Sequence, residues 1–217
     1  MQNVPGARMI QYHGHLRDLP EEHSELPVMG FVRNPWDWYV SMFCDYRRKQ
    51  QYVFQACSNR GSLGFKETIE RFLNLGDGSS QSRSTLAQLR TLAPRVINAQ
   101  TNPRRGNPGM RSEHFANYPE NIGYYSWLFQ LMYESDRDHD IHIGRFENLR
   151  EDALRLFEFT GVPISDRIST YLSAAPPLNV SPRPESHLGG YPPALEKLVA
   201  KRDSYLIDRF EYEFPLS

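Results

Sequence analysis

The chain has 217 residues with 25 basic and 26 acidic side chains, and its net charge of −1 argues against a general nucleic-acid-binding protein. Apolar residues make up 39% and aromatic residues 12% of the chain, which is typical of a folded domain rather than a disordered segment. The two cysteines do not form a CxxC pair, which argues against a disulfide framework or a structural zinc site. The sequence contains no run of eighteen apolar residues, so no membrane span is predicted.

Hydrophobic periodicity predicts strands that alternate with helices along the chain. The predicted strands cover residues 7–13, 27–33 and 140–146. The predicted helices cover residues 36–50, 65–76, 118–134, 150–163 and 193–212, with Gly76 as the C-cap of the second. Residues 76–112, rich in Gly, Ser, Asn, Pro and Arg, are expected to form an irregular insertion or lid with one helix around 84–93. This order predicts one α/β domain, 1–217, with a mostly parallel sheet.

The most informative segment is FVRNPWDWYVS, residues 31–41, in which an apolar strand leads through Asn34 and Pro35 into a helix. The backbone N–H groups at the start of a helix favour an anion. Arg33 brings a bidentate donor at the strand end, and Ser41 follows about two helical turns later with a hydroxyl. The pattern predicts a clamp for a terminal phosphate. The alternative is an ordinary strand–turn–helix whose arginine pairs with a carboxylate.

At these residues the chain resembles the PAPS-dependent sulfotransferases, which use 3′-phosphoadenosine 5′-phosphosulfate (PAPS) as sulfuryl donor. In that family R-x-P-x-x-x-x-x-S after an apolar strand holds the 3′-phosphate of the donor. The resemblance implies that Arg33 and Ser41 bind this phosphate. It also implies a P-loop-like three-layer α/β/α fold with a mostly parallel central sheet.

Two histidines precede this segment in YHGHL, residues 12–16. If the backbone is extended, His13 and His15 project to the same side. A structural histidine pair and two ligands of a metal site are both open interpretations. Sulfuryl transfer needs a base for the acceptor hydroxyl, and histidine titrates in a suitable range. The segment resembles the one that precedes the phosphate-binding motif in heparan sulfate 2-O-sulfotransferases, where a histidine of a matching H-G-H sequence is the catalytic base. The resemblance implies that His15 is the base and that His13 helps to position the base or the acceptor.

Two later segments extend the resemblance. RFENL, residues 145–149, is similar to the R-x-E-x-L motif of sulfotransferases, and Glu147 is interpreted as architectural, capping a helix or pairing with Arg145. The last segment, from Ser181 onward, is similar to the C-terminal loop and helix of the family. That similarity implies that Ser181, Arg183 and His187 contact the nucleotide's phosphates, and the alternative is a polar surface loop.

One element of the family pattern is missing: the strand and Lys-x-x-x-T-[ST] loop that hold the 5′-phosphosulfate. GSLGFKET, residues 61–68, has glycines and a lysine but no apolar strand before it, so we reject it as this loop. The chain is therefore expected to lack the first β-loop-α unit of the fold. A truncated start, a segment supplied by a partner chain and a degenerate homologue are the three explanations, and truncation is favoured because no helix-start pattern follows Met1.

The sequence thus predicts a sulfotransferase that moves a sulfuryl group from PAPS to a hydroxyl of an acceptor, with a carbohydrate as the favoured acceptor class. The alternative is an impaired homologue that binds a nucleotide or glycan. A P-loop kinase is disfavoured because the chain has no G-x-x-x-x-G-K-[ST] motif. PAPS is the expected cosubstrate, with no metal, no nucleic-acid partner and no membrane segment. The expected location is cytoplasmic unless a targeting segment precedes the chain, and the oligomeric state is not predicted.

Overall fold

The computed structural model describes residues 15–95, 110–134, 138–176 and 191–215. Its strands are β1 (Val28–Val32) and β2 (Ile141–Arg145). Its α-helices are α1 (Pro35–Lys49), α2 (Tyr52–Cys57), α3 (Phe65–Leu73), α4 (Ser80–Leu92), α5 (Ser112–Ala116), α6 (Tyr124–Tyr133), α7 (Leu149–Phe159), α8 (Asp166–Ala174), α9 (Pro193–Arg202) and α10 (Ser204–Phe210). Short 3-10 turns lie at Leu16–Asp18, Glu21–His23 and Phe146–Asn148.

The chain divides into two compact units. Unit 1 comprises Met1–Asn34 and Leu131–Val180, and unit 2 comprises Pro35–Gln130 and Ser181–Ser217. The chain passes from one unit to the other three times: between Asn34 and Pro35, within α6, and between Val180 and Ser181.

Unit 1 is organised around a parallel pair of strands. β1 pairs with β2 in a register that runs from Val28 opposite Ile141 to Val32 opposite Arg145. Helix α7 packs on this pair at Gly144, where an added Cβ would lie 2.8 Å from the Cβ of Asp152 and 2.9 Å from the ring of Phe31. The absence of a side chain at this position therefore permits the close approach of helix and strand.

Helix α7 has a short buried face and a defined end. Ala153 and Leu156 are buried and lie three residues apart, on one side of the helix. Gly161 follows the helix with φ of +67°, and the N–H of Val162 returns to the carbonyl of Phe157 at 2.8 Å. This is the left-handed glycine stop that the sequence pattern FTGVP predicts.

Unit 2 is helical in its described part and has an aromatic core. Helix α1 begins with Pro35 at its first position, where the missing N–H costs nothing. Its buried residues Trp36, Tyr39, Val40 and Phe43 recur at helical spacing. The largest fully buried side chains of the unit include Tyr39, Phe54, Phe72, Phe115, Tyr124, Leu195 and Leu206.

A buried carboxylate joins three helices of unit 2. Asp203, between α9 and α10, is fully buried. Its Oδ2 accepts a hydrogen bond from the hydroxyl of Tyr39 at 2.8 Å, and its Oδ1 accepts one from the N–H of Ser126 at 2.8 Å, in the first turn of α6. Burial raises the pKa of the Asp203 carboxyl to about 6. Burial and the adjacent Asp203 carboxylate also raise the pKa of Tyr39.

The predicted α/β class with parallel strand pairing is confirmed. The single helix predicted over 193–212 is wrong, because the chain breaks at Asp203 into α9 and α10. The predicted C-cap at Gly76 is also wrong: α3 ends at Leu73 with Asn74 as C-cap, and Gly76 packs against the backbone of Pro119. Within the predicted insertion 76–112, α4 begins earlier than the expected helix. The predicted strand 7–13 lies outside the described residues.

Three short helices, α2, α5 and α8, were not predicted. Helix α8 carries a readable start signal, since the side chain of Ser165 accepts the N–H of Ile168 as an N-cap. Among the described residues, no helix combines the length and apolar character that a membrane span requires.

Candidate functional site

The site is built at the carboxyl end of β1, where ligands of parallel sheets commonly bind. β1 ends at Val32, Arg33 and Asn34 follow, and α1 begins at Pro35. The residue before a proline avoids the helical region, so Asn34 separates strand from helix. The predicted succession of strand, turn and helix at residues 27–50 is therefore confirmed as local structure.

The guanidinium of Arg33 lies over an aromatic ring. Its Cζ is 4.8 Å from the centroid of Phe146, the first residue after β2. The Arg33 side chain is half-buried, while Phe146 is 46% exposed. A cation over a ring face is attracted by the ring quadrupole, and the contact also restricts the rotamers of the arginine. The ring thus orients the one predicted phosphate-binding residue that unit 1 contains.

The backbone of Asn34 is held by a carboxylate. Its N–H donates to Oε1 of Glu147 at 2.7 Å. Glu147 itself is exposed, whereas Asn34 is buried. Glu147 was interpreted from the sequence as a helix cap or a partner of Arg145. Its position on the Asn34 N–H gives it a specific architectural function, since it satisfies a buried donor beside Arg33.

The end of β2 is fixed in the same manner. The N–H of Arg145 donates to Oδ2 of Asp152 at 2.6 Å, and Arg155 donates to the other oxygen of this carboxylate. Asp152 is buried and belongs to the first turn of α7. Both strand ends of unit 1 therefore have a backbone N–H bound by a carboxylate from the segment that follows β2.

The second predicted phosphate ligand, Ser41, belongs to unit 2. It lies on α1, six residues after Pro35 and about 9 Å along the helix axis, and it is half-buried between the buried residues Val40 and Met42. The start of α1 is anchored within unit 2, because Nε1 of Trp36 donates to the carbonyl of Glu196 at 3.1 Å. The hydroxyl of Tyr191 also donates to the carbonyl of Trp36 at 3.3 Å.

The predicted base, His15, is a buried residue of unit 1. It is 5% exposed, and its Nδ1 lies 3.7 Å from Oδ2 of Asp18, across the 3-10 turn Leu16–Asp18. This separation exceeds hydrogen-bond distance. The burial of His15 limits the access of an acceptor hydroxyl to its ring. His13, Ser181, Arg183 and His187 lie outside the described residues.

The described residues contain no group of three or more His, Cys, Asp or Glu side chains that could hold a metal ion. Neither cysteine forms a disulfide, and burial raises the pKa of the Cys57 thiol, which keeps it protonated.

A separate cavity of 370 Å³ lies within unit 2 beside α3 and α4. Three carboxylates line it, those of Glu67, Glu70 and Asp77, against the single cation of Arg71. A phosphate would be repelled by this lining. The cavity agrees with the rejection of residues 61–68 as a phosphate-binding loop, because Glu67 is part of that segment.

The contacts of Phe146 and Glu147 with Arg33 and Asn34 were missed by sequence reasoning. Their signal is visible once the register is known, because β1 and β2 are related by a constant offset. Continued by one and two residues, the register places Arg33 opposite Phe146 and Asn34 opposite Glu147. The RFENL segment, interpreted only as architectural, is therefore part of the site.

Comparisons with family models, with curated proteins and with solved structures found no match to this chain. Its function is therefore inferred from its own motifs and contacts.

Proposed function

We propose that this chain is a PAPS-binding protein of the sulfotransferase type with a P-loop-like three-layer α/β/α architecture. In this proposal Arg33 and Ser41 bind the 3′-phosphate of the donor, and the acceptor is a hydroxyl of a carbohydrate. One observation carries the proposal: the R-x-P motif stands directly at the carboxyl end of a parallel strand, with its proline as the first residue of a helix.

The chemistry of Arg33 supports this ligand. A guanidinium forms paired, charge-assisted hydrogen bonds with a phosphate, and its planar fork matches the phosphate oxygens. The Phe146 ring beneath Arg33 reduces the conformational freedom that the side chain loses on binding. The second ligand, Ser41, is assigned by the sequence motif and supplies a hydroxyl donor.

In the proposed reaction the acceptor oxygen forms a bond to the sulfur of PAPS while the bond from sulfur to the bridging oxygen breaks. The electron pair of that bond leaves with 3′-phosphoadenosine 5′-phosphate (PAP), and the hydroxyl proton passes to the imidazole of His15. The carboxylate of Asp18, 3.7 Å from Nδ1, stabilises the resulting imidazolium. Ser181 and Arg183 are proposed as further phosphate contacts, and His13 as a neighbour of the base.

A second candidate is a nucleotide- or glycan-binding module without transferase activity. The burial of His15 favours it, since the side chain is only 3% exposed and a base must reach the proton that it removes. Transfer of labelled sulfate from PAPS to a panel of glycans and small alcohols separates the two candidates. Transfer that is lost in His15→Ala supports the enzyme, and PAP binding without transfer supports the module.

The nucleotide site itself is tested by titration calorimetry with PAP. We expect Arg33→Ala to weaken PAP binding by at least about tenfold, because a charged hydrogen-bonding pair contributes about 1.5–3 kcal/mol. Arg33→Lys keeps the charge but loses the bidentate fork, so it should fall between wild type and Arg33→Ala.

The matched control is Arg17→Ala, which removes an exposed arginine of the same unit and should bind PAP like wild type. Absence of PAP binding in wild type, or equal binding by wild type and Arg33→Ala, would refute the proposed nucleotide site.

A further inference from the structure

The 3-10 turn that follows β2 contacts both residues that follow β1. Phe146 lies under the Arg33 guanidinium, and Glu147 accepts the Asn34 N–H. We propose that Phe146 and Glu147 are positioning residues that pre-organise Arg33 for the 3′-phosphate of the nucleotide. This inference rests on the proposed function, since it names the residues through which Arg33 acts.

The strand register explains why this turn meets Arg33. β1 and β2 are parallel, and Val32 lies opposite Arg145. In a parallel pair each further residue meets the next residue of the partner strand. The same register leads from Val32 to Arg33 on one strand and from Arg145 to Phe146 on the other. The backbone of Arg33 is therefore brought near Phe146 by the strand pairing that ends at Val32 and Arg145.

Phe146 is a large apolar side chain that remains 46% exposed. Burial in a core does not account for a ring in this position, whereas the cation above it does. A cation–π contact at an exposed site contributes about 0.5–1 kcal/mol, which corresponds to about two- to fivefold in affinity. We expect a loss of this size in Phe146→Leu, and recovery in Phe146→Tyr, whose ring also attracts a cation.

Glu147 places a negative charge near a site proposed for an anion. Direct electrostatics would therefore oppose phosphate binding. Its favourable function is the hydrogen bond to the Asn34 N–H, which fixes the backbone beside Arg33 at 2.7 Å. Two substitutions distinguish the effect of the charge from that of the hydrogen bond. Glu147→Gln keeps an oxygen acceptor and removes the charge, whereas Glu147→Ala removes both.

The experiment compares two nucleotides by titration calorimetry: PAP, which carries the 3′-phosphate, and adenosine 5′-monophosphate, which lacks it. Because Phe146 is proposed to act through Arg33, Phe146→Leu should weaken PAP binding about two- to fivefold and leave monophosphate binding unchanged. Glu147→Ala should also weaken PAP selectively, whereas Glu147→Gln should bind PAP at least as tightly as wild type. In an Arg33→Ala background, Phe146→Leu should have no further effect.

The control is Phe159→Leu, which changes another exposed phenylalanine of unit 1 and should bind both nucleotides like wild type. Equal weakening of both nucleotides by Phe146→Leu, or full additivity with Arg33→Ala, would overturn the positioning function. If Arg33→Ala itself leaves PAP binding unchanged, the proposed function fails first. If Arg33→Ala weakens PAP and the Phe146 and Glu147 variants do not, only the present inference fails.

Discussion

Glu147 of unit 1 and Asp203 of unit 2 are carboxylates that each accept a backbone N–H, but Glu147 is exposed and Asp203 is buried. In unit 1 the exposed Glu147 accepts the N–H of Asn34 beside Arg33. In unit 2 the fully buried Asp203 accepts the N–H of Ser126 and the hydroxyl of Tyr39. The exposed carboxylate remains hydrated and loses little solvation free energy on folding. The buried carboxylate loses its hydration, and its hydrogen bonds must offset that penalty. The Glu147 contact fixes the backbone beside Arg33, the proposed phosphate-binding residue, whereas the Asp203 contacts hold a core together.

The largest expected effect is on the core. Asp203→Ala removes the acceptor of two buried donors, so we expect it to lower the free energy of unfolding by about 3 kcal/mol. Asp203→Asn retains an amide oxygen for the Ser126 N–H, and its Nδ2 can donate to the hydroxyl of Tyr39, so the loss should be much smaller. Urea unfolding at pH 5 measures both variants. Similar losses in the two would show that the hydrogen bonds of Asp203 contribute little.

The free energy of unfolding should depend on pH through the titration of the Asp203 carboxyl. Burial raises its pKa from 3.8 to about 6 in the folded state. The folded chain therefore holds this proton more tightly than the unfolded chain, and the group lowers stability as pH rises from about 4 to about 6. Asp203→Asn does not titrate, so its stability relative to wild type should rise by about 2–3 kcal/mol between pH 4 and pH 7.

The measurement is a series of urea unfolding curves of both proteins across this range, and the difference between them cancels the other carboxyl groups. A difference that stays constant with pH, or falls as pH rises, would contradict the buried, desolvated state of Asp203.

A smaller effect is expected at the end of β2. Asp152→Ala leaves the N–H of Arg145 without its carboxylate partner, and this donor lies at the junction of β2 and α7. The expected loss of unfolding free energy is about 1–2 kcal/mol. It is below that of Asp203→Ala because Asp152→Ala leaves one backbone donor without its acceptor, while the Arg155 side chain is exposed to solvent. Thermal unfolding measures it, with Asp166→Ala, an exposed carboxylate of the same unit, as the control. A loss equal to that of Asp203→Ala would contradict this ranking of the two carboxylates.

The local structure around Arg33 was predictable because every signal lies within a few residues. An apolar run, a residue before proline and a helical pattern together indicate strand, turn and helix. The partners of Arg33 and Asn34 were not predictable, since Phe146 and Glu147 lie more than a hundred residues away in sequence. Only the register of β1 on β2 brings them together, and a register between distant strands cannot be read from one sequence.

The break at Asp203 and the burial of His15 show two other limits of sequence reasoning. Residues 193–212 read as one helix because the apolar spacing continues through Asp203, while the break depends on a carboxylate that binds α1 and α6. His15 was predicted as a base from its chemistry and from a short resemblance. Its burial depends on tertiary packing, which neighbouring residues in the sequence do not encode.

The most direct test of the phosphate-binding function that we propose for Arg33 is ³¹P NMR of PAP titrated with the protein, since the 3′- and 5′-phosphates give separate resonances. We predict that the 3′-phosphate resonance shifts on binding to wild type and that Arg33→Ala abolishes this shift. A 3′-phosphate resonance that stays at its free position with wild type, or that shifts equally with Arg33→Ala, would contradict it.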